Sequence, residues 1–170
     1  MNSTPAVPVR TCVAIVNQGE ICLIHRHRAD GDQYSLPGGL LDPEEQIPAA
    51  LARELKEELD LDTTALPCDP DLRWVLDQAT RRPGSHELFR RLHLVHVLHA
   101  PDHVRNLIAA AEQDAKDTTR VLWIPLAEAA DLHLYPAVGP ALAGLAGLAN
   151  DTSTMTVQLP PMLDHTYTWR

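Results

Sequence analysis

Glu54, Glu57 and Glu58 stand in the stretch Leu36 to Leu61, LPGGLLDPEEQIPAALARELKEELDL, whose second half from Pro48 onward is predicted to form a short helix. Ala49, Ala50, Leu51, Ala52, Leu55 and Leu59 are good helix formers, and Pro48 suits a first turn. At about 100° per residue, Leu51, Leu55 and Leu59 make one apolar stripe that must pack against something. The three glutamates make a neighbouring stripe at i, i+3, i+4 spacing. Like charges placed this way repel, and two of them sit in the last turn, where the helix dipole favours cations. A divalent ion such as Mg²⁺ or Mn²⁺ relieves both conflicts, because hard cations take carboxylate oxygens and keep positions open for water and substrate phosphate. The alternative is the solvated acidic face of a surface helix.

Leu36-Pro37-Gly38-Gly39 comes just before this helix, followed by a turn through Asp42-Pro43-Glu44-Glu45. Paired glycines let a backbone approach a ligand closely and expose its N–H groups, although many such pairs mark only a tight turn. Five residues separate Gly39 from Glu45 and seven more separate Glu45 from Arg53, where Arg53-Glu54-Leu55-Lys56-Glu57-Glu58-Leu59-Asp60-Leu61 begins. This pattern resembles the Nudix hydrolase signature: Gly, five residues, Glu, seven residues, then Arg-Glu-apolar-any-Glu-Glu-any-Gly-apolar. The one departure is Asp60, where the family usually has Gly. That position is the left-handed residue ending the helix, which Asp tolerates.

The resemblance implies an α+β protein, the Nudix-type α/β/α sandwich with a central mixed β-sheet. It implies Mg²⁺ (or Mn²⁺) held by Glu57 and Glu58, with Glu54 and Glu45 nearby. Glu54 is the expected general base. Many members bring a further Glu from the connection between the later strands, which makes Glu112 the rival, with Asp114 and Asp117 behind it. Arg53 is expected to pin a glutamate by ion pairing rather than to touch substrate. Gly38 and Gly39 would present backbone to the phosphates, and Arg26, with Arg28 in reserve, would face them from the end of a strand.

The activity so implied is cleavage of the diphosphate linkage of a nucleoside diphosphate derivative. Subtypes acting on ADP-ribose or dinucleoside polyphosphates often carry a Pro or Tyr about 15 to 18 residues past the signature. Leu76 to Ala79 fills those offsets with neither, so the expected substrate is a (deoxy)nucleoside triphosphate or modified nucleotide, with ADP-ribose or a nucleotide sugar as the alternative. A nucleotide-sensing domain without catalysis would show eroded carboxylates, and here all are retained. An isomerase on the same fold would need an active-site Cys; Cys68 and Cys12 are available, but nothing marks them.

A chain of 170 residues with 45% apolar content suffices for one domain with a real core. The expected division is an N-terminal arm over 1–8, the catalytic domain over 9–149 and a C-terminal extension over 150–170. A net charge of −9 argues against nucleic-acid polymers and anionic membranes as partners. Cys12, Cys22 and Cys68 lack metal-site or disulfide spacing and read as reduced core thiols. With no signal peptide or apolar run long enough to span a membrane, the expected location is cytoplasmic.

Val9 to Val16 and Ile21 to His25 read as a hairpin turned at Asn17-Gln18-Gly19-Glu20. Ala29 to Gln33 reads as a polar loop free to flex over the site. Leu72 to Gln78 and Glu87 to Leu98 read as strands joined by a turn through Arg81-Arg82-Pro83-Gly84-Ser85. On such a strand His93, His96 and His99 alternate faces, which argues against a histidine metal site. Arg120 to Ile124 follows as a strand, with Trp123 more a core residue than a base-stacking platform, and Gly139 to Ala149 as the closing helix. Thr154 to Leu159 has strand character, and the tail beyond it carries Tyr167 and Trp169. Such a terminus is expected to dock on the domain, over the substrate, or on a second subunit as a homodimer.

Overall fold

The computed structural model describes residues 6–110, 119–147 and 155–169. In chain order the elements are β1 (Val9–Asn17), β2 (Glu20–Arg28), β3 (Gly31–Ser35), β4 (Gly38–Leu40), α1 (Ile47–Leu59), β5 (Asp71–Thr80), β6 (Phe89–His99), α2 (Asp102–Arg105), β7 (Thr119–Pro125), α3 (Leu126–Ala129), β8 (Leu134–Tyr135), α4 (Gly139–Ala146), β9 (Val157–Gln158) and β10 (Met162–Leu163). A single-turn 3₁₀ segment, Thr63–Ala65, links α1 to β5.

β1 and β2 form the expected hairpin. Gln18 and Gly19 both take positive φ, 48° and 79°, the two-residue turn whose twist matches that of antiparallel strands. The hairpin pairs only at its closed end, Val16 with Ile21 and Asn17 with Glu20, and then divides. β1 continues against β6 in parallel and against β4 in antiparallel, while β2 continues against β3 and β7. The mixed sheet thus opens into two wings from a common hinge. The wing of β2 carries Arg26; the wing of β1 carries Gly38 and Gly39.

Each sheet face buries its own core. On one, Leu51, Leu55 and Leu59 of α1 pack on Val13, Ile15 and Cys22. On the other, Leu126, Leu142 and Leu145 of α3 and α4 pack on Cys12, Ala14 and Val16. Burying each leucine of the α1 stripe is worth about 1.5–3 kcal/mol, which fixes the rotation of α1 and so the direction of its glutamates. Helices on both faces of a mixed sheet are the architecture expected from the sequence.

Three local expectations need correction. Residues 31–35 are a strand: Asp32 accepts from His25 Nε2 and His27 Nδ1, both at 2.9 Å, while Gln33 is buried on the opposite face, so the stretch alternates faces against β2 although its residues are polar. Gly38 and Gly39 belong to a short strand paired with β1 rather than to an open loop. Cys68 is exposed, whereas Cys12 and Cys22 are core thiols that burial pushes up to about 11 and about 12. His93 and His96 are buried on opposite faces of β6, bonded to Gln78 Oε1 and to the Cys12 carbonyl respectively, so they share no site.

Residues of the tail return to the sheet: β9 and β10 each pair in parallel with β5. Arg81 donates to Asp164 from both its backbone N–H, at 2.6 Å, and its guanidinium, at 3.0 Å.

Candidate active site

Helix α1 begins without a side-chain cap at Gln46, but Pro48 fits its first turn and removes a donor that has no partner there. It ends at Asp60, which takes the left-handed conformation (φ 53°, ψ 25°) and ion-pairs with Lys56. Asp60 therefore closes the helix in glycine's place.

Along this helix Arg53 is the organising side chain. Its Nε and Nη2 grip the two oxygens of Glu45 at 2.9 and 2.8 Å, a bidentate pairing. Nη1 reaches Glu54 Oε1 at 2.6 Å and Glu57 Oε2 at 3.4 Å, and Nη2 also donates to the Leu40 carbonyl at 3.1 Å. All of its nitrogens are engaged by the protein, which ties Glu45, Glu54, Glu57 and the Leu40 carbonyl to one side chain. The guanidinium also holds the Glu45 carboxyl below the usual carboxylate range.

Glu54 behaves oppositely. It is half-buried, and desolvation raises its carboxyl above the usual range, with Arg53 pulling the other way and Glu57 adding to the rise. It reaches its place because Gly39 has no side chain: a β-carbon there would lie 2.1 Å from Glu54 Oε1. Gly38, at φ +139°, is equally constrained, since a β-carbon there would lie 2.2 Å from the Thr11 carbonyl. The Gly38 N–H, expected to face phosphate, donates instead to Glu58 Oε2 at 2.7 Å. Glu58 is buried, while Glu57 remains largely exposed.

Arg26 lies on the other wing, its Nη1 donating to Ser35 Oγ at 2.9 Å, and Arg28 stands exposed at the tip of the same strand. Glu112, Asp114 and Asp117 fall outside the described residues. Arg10 is the residue that sequence reasoning missed. It is buried, donates from Nη2 to the carbonyls of Leu36 and Gly38 at 3.0 and 2.8 Å, and packs its guanidinium over the Tyr135 ring. Its signal was available, for it is the one charged residue in the apolar run Val9 to Val16. A hollow of about 740 Å³ lies by the Gln18-Gly19 turn and holds none of these groups.

A protein-family model described as the NUDIX domain matches residues 6–143. The chain belongs to the Nudix family. Solved structures of similar fold include a mutator MutT protein of Bacillus halodurans (13% identity, covering 89% of this chain and 87% of that one, TM-score 0.62). Others are a MutT Nudix hydrolase of Burkholderia pseudomallei (28%, 70% and 83%, 0.51) and a MutT protein of Methanosarcina mazei (17%, 82% and 92%, 0.55). The sequence matches no curated protein.

Nudix hydrolases generally use divalent metal ions and act on small nucleotides. The donor chemistry here fits such an ion: three carboxylates, Glu45, Glu54 and Glu57, stand around one guanidinium and Glu58 is held nearby by the Gly38 N–H, all hard oxygen ligands. Among the described residues, Oε2 of Glu54 and Oε1 of Glu57 accept no protein hydrogen bond. As the side chains stand, no three ligating groups of the described residues converge on one point.

Proposed function

We propose that this Nudix hydrolase is a metal-dependent pyrophosphohydrolase that cleaves a (deoxy)nucleoside triphosphate or modified nucleotide to the monophosphate and pyrophosphate, with Mg²⁺ or Mn²⁺ as cofactor. The observation that carries the reading is the Arg53 array, which keeps Glu45, Glu54 and Glu57 together beside Gly39 with every signature carboxylate retained. Glu57 and Glu58, with Glu54 and Glu45 beside them, are the residues that would hold the ion. When bound, the ion supplies charge neutralisation of the diphosphate and polarises its phosphorus–oxygen bonds.

Glu54 suits the general base. Its raised carboxyl holds a proton more firmly than an ordinary carboxylate, which favours taking one from water. As the water oxygen bonds to phosphorus, its proton passes to Glu54, the phosphorus–oxygen bond of the α–β anhydride breaks, and its electron pair leaves with pyrophosphate or with the nucleoside monophosphate, according to which phosphorus is attacked. Arg53 keeps Glu54 in register, Gly39 leaves it room, and Arg26 offers a cation to the charge that develops on the phosphate oxygens. Glu112 stands as the rival base. A reaction on free nucleotides also supports the cytoplasm as the place of action.

The test is a ³¹P NMR and mass-spectrometric screen of nucleoside triphosphates, ADP-ribose, nucleotide sugars and dinucleoside polyphosphates with Mg²⁺ and Mn²⁺ in ¹⁸O-water. The expected result is metal-dependent release of a monophosphate and pyrophosphate from a triphosphate, one of them labelled. Cleavage of ADP-ribose alone would replace the substrate class. No cleavage by a folded protein that binds nucleotide would replace the enzyme with a sensor.

A further inference from the structure

The C-terminal tail reaches the open end of the sheet, beyond the stretch that the family model matches. Four of the seven aromatic residues of the chain gather there: Phe89, Tyr135, Tyr167 and Trp169. The Trp169 ring meets Phe89 edge-on at 5.0 Å and Tyr167 edge-on at 5.5 Å, and its Nε1 donates to Thr80 Oγ1 at 3.2 Å. Thr80 is buried and also accepts from Gln78 Nε2, whose amide oxygen in turn binds Tyr135 and His93. The indole is thus fixed by packing and by a buried hydrogen-bond chain, as a binding wall requires.

Its remaining surface lines a cleft of about 390 Å³ together with Arg28, Asp30, Gln33, Arg82 and Pro83. Gln33 lies opposite Arg26 in the β2–β3 ladder, so the cleft adjoins the strand end that carries the proposed phosphate-facing arginine. The exposed Arg82 already lays its planar guanidinium over the indole at 5.1 Å, which shows that a flat group fits against that ring. The Gln33 amide supplies both a donor and an acceptor for the edge of such a group. Arg28 and Arg82 supply cations for its anionic end.

We propose that Trp169 is a substrate-binding residue, the stacking wall on which the nucleobase of the substrate lies. The inference rests on the nucleotide-hydrolase reading, and it assigns to the tail the recognition of the aromatic part. Stacking on an aromatic side chain typically changes affinity about tenfold or more per base, and it tolerates base identity because every base has a π face.

The test is binding to the full-length protein, read by tryptophan fluorescence and calorimetry, with the four nucleoside monophosphates and with ribose 5-phosphate as the probe without a base. Wild type is expected to show quenching by the monophosphates. Trp169→Ala should weaken them about tenfold while ribose 5-phosphate keeps its affinity. Trp169→Phe should retain most of the affinity and lose the quench, which separates stacking from loss of the folded tail. Equal weakening of both kinds of ligand, unchanged monophosphate binding in Trp169→Ala, or no quench in wild type would overturn the proposal. Hydrolysis in the preceding screen is read without reference to Trp169, so active enzyme with unaltered binding in Trp169→Ala would sink the stacking role alone.

Discussion

Gly39 and Glu54 compete for the same space: a β-carbon on the glycine would fall 2.1 Å from Oε1 of the glutamate. The proposed general base therefore stands where it does because its neighbour lacks a side chain. Gly39→Ala is expected to displace the Glu54 carboxylate and lower turnover about a hundredfold, since a shift of about one ångström is enough for that. Gly38→Ala acts through the backbone instead, because φ +139° and contact with β1 leave no room; a stability loss of about 1–3 kcal/mol is expected. Melting temperature and kcat measured on both variants separate the two effects.

Arg53→Lys keeps the charge and loses the fork. A lysine cannot reproduce the bidentate grip on Glu45 together with the contacts to Glu54 and Leu40, so activity should fall about 10- to 100-fold. Arg53→Ala has a second signature. Arg53 lowers the Glu54 pKa, so its removal should move the acidic limb of the pH–rate profile to higher pH.

Glu54→Gln is expected to abolish most turnover and to stabilise the metal-free protein. The folded-state pKa of Glu54 is raised by burial, so its contribution to stability is full below the ordinary value of 4.5 and is lost as pH rises through the folded-state value. At pH 8 the variant should exceed wild type by about 0.5–2 kcal/mol in urea unfolding, with the difference shrinking in acid.

What could be read from the chain was local. Residues 47 to 60 carry their own periodicity, start signal and exit, so the helix, its leucine stripe and its carboxylates are legible from the residues alone. Arg53 as a pin is legible too, because its partners sit within a few turns. Arg10 is not, since its bonds go to Leu36 and Gly38, far along the sequence, and only sheet pairing brings them together. The strand over 31–35 hides behind polar residues whose partners lie across a ladder. Trp169 illustrates the same limit, for its meaning depends on Phe89, Thr80 and Tyr135.

His93 predicts the acid behaviour of the fold. Burial, with the cations Arg10 and Arg91 nearby, pushes its imidazole down to about 3 from 6.5. Between those values the unfolded chain binds a proton that the folded protein refuses, so the stability from this group is full above pH 6.5 and falls toward pH 3. The slope from this group is at most about 1.4 kcal/mol per pH unit. His93→Gln should flatten the decline in a pH series of urea melts, whereas an unchanged slope would move the cause elsewhere.

The most direct measurement on the central claim is kcat/KM of wild type and Glu57→Gln for the preferred nucleotide, beside their melting temperatures. Glu57 is largely exposed and makes only a long contact to Arg53, so its replacement should leave the melting temperature within about 2 °C. The account predicts that kcat/KM nevertheless falls about a hundredfold or more, because a carboxylate needed to hold the ion is gone. A Glu57→Gln enzyme as fast as wild type would contradict it.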